Sequence, residues 1–82
     1  MEKQKFDPPV TVRADPATAQ ETIGDATGGL DFLIKRWRGK RGDKHRAALQ
    51  ACSDADSGRR PASHARKAFI AAAREAGILV TA

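Results

Sequence analysis

Seven cations fall within the twelve residues from Lys35 to Arg46. They are Lys35, Arg36, Arg38, Lys40, Arg41, Lys44 and Arg46, broken by a single acid, Asp43, and by two glycines, Gly39 and Gly42. Cations at this density can follow a phosphate backbone by displacing its counterions, so the run is a candidate anion or nucleic-acid contact. Trp37 lies inside it, and an indole there could stack on a base of a single strand. Trp37 also falls at i+7 from Leu30, with Leu33 and Ile34 at i+3 and i+4, the spacing of one buried helical stripe. That pattern predicts Trp37 in the core, leaving the cations as a solvated face or as the contact itself.

Cys52 is the one residue whose type suggests nucleophilic chemistry. His45 stands seven residues before it, two helical turns or about 10.5 Å of rise, too far for a direct hydrogen bond. His64 could reach Cys52 only through tertiary contact. A free cysteine on an apolar face is ordinarily a small core residue. His45 and His64 each fall in a first helical turn and are expected at the surface. One cysteine and two scattered histidines offer no chelating pair, so neither a metal nor another cofactor is expected. Asp43, Asp54 and Asp56 form no acid–base pair, and Gly28-Gly29 lacks the lysine of a phosphate-cradling loop. No nucleophile or carboxylate pair is positioned by the pattern, so we expect no enzyme and no small-molecule substrate.

The elements that must carry these residues are few. Asp7-Pro8-Pro9 excludes helix and leads into Val10–Arg13, whose alternation reads as a strand with both valines inward. Asp15-Pro16 signals a turn, and Thr18–Ile23 reads as the returning strand with Ala19, Glu21 and Ile23 on one face. Asp25 is placed to cap a first helix that runs through the Leu30–Trp37 stripe and stops at Gly39. Gly42-Asp43 opens a second helix, with His45, Ala48, Leu49, Cys52 and Ala55 on one face and Gly58 as its stop. The third helix runs from an expected Ser63 N-cap to Gly77, where glycine takes the left-handed conformation easily. Ala65, Phe69, Ala72, Ala73 and Ala76 form its apolar stripe, and the alanines permit close approach by neighbours. Ile78–Thr81 either adds a strand beside the hairpin or packs as a tail. The fold expected is α+β: a short N-terminal β-hairpin, three α-helices and this C-terminal segment, with residues 1–9 as a flexible arm and 10–82 as one domain.

Several of these residues resemble a family of small proteins known only as domain of unknown function 982, found in rhizobia and related alphaproteobacteria. The likeness lies in Leu33-Ile34-Lys35-Arg36-Trp37 closing a helix after a short strand, and in Ala48 and Cys52 on a helix closed by Gly58. It is densest in Ala65-Arg66, Ala68-Phe69, Ala72-Ala73 and Ala76-Gly77-Ile78. Two departures are Asp25–Gly29, without the acidic, alanine-bearing helix opening of the family, and Arg38, where proline often follows the tryptophan. The resemblance covers roughly Val10 to Ile78 and implies no activity.

Totals set the remaining bounds. Eighty-two residues with a net charge of +5 make one small basic domain. Large apolar side chains, with Cys52 counted among them, number sixteen between Phe6 and Val80, a thin core for which self-association is a usual remedy. A single cysteine fits a reducing cytoplasm, and MEKQKFDPPV has no signal-peptide core. No apolar run reaches membrane-spanning length, so no membrane partner is expected. The function read from the sequence is a non-enzymatic interaction domain, a homodimer or a binder of another protein. The alternative is an accessory nucleic-acid binder using Lys35–Arg46. A helix-turn-helix is disfavoured, because the link carrying Arg59, Arg60 and Pro61 exceeds the usual turn.

Overall fold

A three-stranded antiparallel sheet, with its first strand between the other two, carries the helices in a computed structural model that describes residues 5–13, 19–37 and 41–81. The expected Asp15-Pro16 turn lies outside the described residues. The elements are β1 (Lys5–Val12), β2 (Glu21–Asp25), α1 (Ala26–Asp31) continuing into a π-helical turn (Phe32–Arg36), α2 (Asp43–Asp56), α3 (Ala62–Ala76) and β3 (Leu79–Thr81). The fold is α+β.

β1 begins at Lys5, upstream of the Val10 start read from alternation, and buries Phe6 as well as Val10 and Val12. Its central place in the sheet is unusual for a segment containing Pro8 and Pro9, which lack amide donors. The ladder accommodates them by breaking register: Lys5 pairs with Asp25, and regular pairing resumes only at Val10, opposite Ile23. β2 is shifted toward the helix relative to the expected Thr18–Ile23, with Ile23 buried and Ala19 exposed. Ile78–Thr81 resolves in favour of a strand: Leu79 pairs with Val12 and Thr81 with Thr11.

Asp25 caps α1 as its residue type suggests, accepting from the Gly28 amide at 2.7 Å. The stripe beyond it differs from the 3.6-residue expectation. A π turn closes over five residues, so Phe32 and Trp37, five apart, come to the inner side with Leu33. Ile34, expected in that stripe, is instead 50% exposed, and Phe32 is fully buried in its place. The helical segment also ends earlier than Gly39, with Trp37 extended at its C-cap.

α3 begins at Ala62 with Pro61 as N-cap and no side-chain cap, so Ser63 is an exposed residue of the first turn rather than the cap. Proline suits a helix entry, because its fixed φ lies ready for one. The other end follows expectation: Gly77 has φ +73, and the Ile78 amide donates to Ala73 O at 3.0 Å, closing a Schellman turn. Ile78 O then accepts from the Arg13 amide at 2.9 Å, handing the chain from helix to sheet. The stripe Ala65, Phe69, Ala72 and Ala73 is buried, with Ala76 half-buried. α3 touches α1, α2, β1 and β3 and is the centre of the fold.

The core is a chain of aromatic rings. Phe69 of α3 contacts Phe6 of β1 and Phe32 of the π turn, each with centroids 6.0 Å apart. Phe32 meets Trp37 edge-on at 6.0 Å, and Trp37 meets the His45 ring at 5.0 Å. Alanines of α2 and α3 join these rings in one buried cluster and let the two helices lie close.

Candidate functional site

The basic run does not form one continuous surface, because the π turn and the start of α2 give its members different tasks. Lys35 pairs with Asp31 at 3.2 Å across one helical turn. Arg36 reaches Asp31 at 2.9 Å and Glu21 at 2.8 Å, and its guanidinium stands 5.6 Å from the Phe32 centroid. Arg36 therefore clasps β2 to the π turn. The Lys35 ammonium hydrogen-bonded to Asp31 holds that carboxyl below the usual carboxylate range, with Arg36 adding to the effect. Arg38 and Lys40 lie outside the described residues.

Arg41 turns back toward the π turn and donates from Nη2 to Ile34 O at 3.3 Å. Lys44 and Arg46 stand exposed near the start of α2. Lys44 borders a shallow open depression with Ala71, Arg74 and Glu75 of α3. Nothing in the linear pattern sets Arg74 beside Lys44. Of the described members of the run, Arg41, Lys44 and Arg46 thus remain for an outside partner.

Trp37 is 6% exposed, with Phe32 and His45 against its ring, so it belongs to the core as the stripe predicts and is not open to a base. His45, expected at the surface, is buried instead. Its Nε2 lies 2.9 Å from Leu33 O. A carbonyl can only accept, so that nitrogen carries the proton. The signal was present in the sequence: His45 stands on the same face as Ala48, Leu49 and Cys52, and position in the first turn was the weaker guide.

Cys52 is fully buried, and burial pushes its thiol up to about 12. A thiol held protonated in this way is a poor nucleophile. His64 is exposed and no hydrogen bond links it to Cys52 among the described residues. The described residues contain no group of three or more His, Cys, Asp or Glu side chains arranged to hold a metal. Among them, no helix is long and apolar enough to cross a membrane.

The family described as protein of unknown function (DUF982) matches residues 8–80, nearly the whole chain. The chain belongs to this DUF982 family. The match takes in all three helices, the π turn, β2 and most of β1 and β3, so the arrangement described above is that of a family member throughout. No curated protein and no solved structure matches the chain.

Proposed function

We propose that this DUF982 protein is a non-enzymatic cytoplasmic interaction domain that self-associates as a homodimer or docks on another protein. The supporting observation is the open edge of β3. In the order β2-β1-β3 that strand has a neighbour on one side only among the described residues, and its Val80 is 43% exposed. An edge strand with unpaired backbone groups and an exposed aliphatic side chain is suited to pairing with a strand of another chain. A core built largely of alanine around a few rings gives a second reason, since association buries apolar surface that one small copy leaves wet. Light scattering at micromolar concentration tests the reading. The expected mass is that of two copies, reduced to one by Val80→Lys. A one-copy mass for the unaltered chain throughout that range removes self-association.

A second reading, accessory nucleic-acid binding by the Lys35–Arg46 segment, is favoured by the exposure of Arg41, Lys44 and Arg46 without an ion pair among the described residues. It expects an affinity that falls steeply with salt and drops when Arg38, Lys40 and Arg41 become glutamine. Affinity indifferent to both changes would sink it.

A further inference from the structure

Ile34 is one of two large apolar side chains that stand exposed among the described residues, and the π turn is what puts it there. Basic side chains stand beside it. Lys35 follows it, 72% exposed and paired with Asp31 at 3.2 Å, and Arg41 reaches back to bond its carbonyl oxygen. The bond from His45 to Leu33 O draws the first turn of α2, with exposed Lys44 and Arg46, toward the same turn. A phosphate backbone would use the cations and leave the neighbouring isoleucine wet. An acidic polypeptide with aliphatic side chains among its carboxylates satisfies both parts, because the apolar contact excludes water while the charges set approach and register.

We infer that the π turn presents Ile34, with Arg41 beside it, as a docking point for an acidic polypeptide segment carrying an aliphatic anchor. This rests on the interaction-domain reading but uses a surface other than the β3 edge. The partner is separate from a second copy of this chain.

The test uses three fluorescently labelled probes of equal charge against the full chain: a peptide alternating glutamate with leucine, its glutamate–serine counterpart, and an oligothymidylate. Anisotropy at moderate salt should rank the glutamate–leucine peptide tightest. Ile34→Ser should weaken that peptide by about fivefold, the worth of half an isoleucine's burial, and leave the serine counterpart unchanged. Arg41→Gln should weaken both peptides. Ile34 is exposed, so the folded state survives the substitution and circular dichroism verifies it. Tighter binding of the oligothymidylate, equal binding of the two peptides, or indifference to Ile34→Ser overturns the inference. Absence of peptide binding by a chain that light scattering shows to be dimeric also overturns it and leaves self-association standing.

Discussion

The Nε2 atom of His45 lies 2.9 Å from the carbonyl oxygen of Leu33, joining the first turn of α2 to the π turn that closes the preceding helix. The two elements are separated by a short glycine-bearing link, and this bond together with the Trp37 ring fixes their relation. His45→Leu keeps the volume but removes the bond, at a cost of about 1 kcal/mol. The check is chemical denaturation followed by Trp37 fluorescence. The emission should also shift in the folded state, because the ring beside the indole is exchanged. An unchanged midpoint and spectrum would show the contact to be without effect.

Phe69 lies between Phe6 and Phe32 in the aromatic chain. Phe69→Ala should destabilise by about 3–5 kcal/mol, a large share of what so small a domain has. Thermal unfolding measures it, and a midpoint barely moved would mean that the core lies elsewhere.

Gly29 is buried where a Cβ would stand 3.2 Å from Cys52 Sγ and 3.4 Å from Phe6 Cζ. Alanine is ordinarily the better helix former, yet here its methyl meets a fully enclosed sulfur and a ring edge. Gly29→Ala should therefore lose about 1 kcal/mol. Adding Cys52→Ala should recover part of that loss, so a double-mutant cycle should give a coupling free energy clearly different from zero. Additive effects would show that the two sites do not touch.

Cys52 also confers an alkaline limit. Its thiol titrates at about 12 in the folded chain against an ordinary 9.0, so between those values the unfolded chain binds fewer protons than the folded one. Stability from this group is complete below pH 9 and falls as pH rises toward 12. Replacing Cys52 with alanine should flatten the alkaline decline in the denaturation midpoint. An aromatic disulfide reagent at neutral pH should react with Cys52 only at the rate of unfolding.

Asp25 presents the simplest local test. Asp25→Ala removes the acceptor of the Gly28 amide and should cost about 1 kcal/mol, while Asp25→Asn should retain most of the cap. Equal losses for both would indicate that charge rather than the hydrogen bond matters.

What the sequence discloses and what it hides divide along physical lines. Asp25, Gly77, the Phe69 stripe and the burial of Cys52 follow from local rules about capping, left-handed glycine and helical period, and those hold here. The exchange of Ile34 for Phe32 was not legible, because the 3.6-residue stripe through Leu30, Leu33 and Ile34 is complete as written. The buried Phe32 packs against Phe69 and Trp37, contacts that no local pattern discloses. The start of β1 was hidden for a similar reason: Pro8 and Pro9 argue against a ladder, whereas the real sheet steps across them with a register break. In the candidate site, the count of cations was plain, but their division was not. Asp31 lies on the same helical segment as Lys35, whereas Glu21 reaches Arg36 from another element.

The placement of β1 between β2 and β3 bears on how the protein is made. A ribosome delivers residues 5–12 before the three helices and residues 79–81 only after them. Until then the middle strand has one neighbour, and Val12 waits for Leu79 across its second side. The sheet therefore matures only after synthesis has passed Thr81, through pairings between residues distant in sequence, a kind of contact that slows folding. Nascent chains halted before β3 should bear an unzipped central strand, a natural substrate for holding chaperones and proteases.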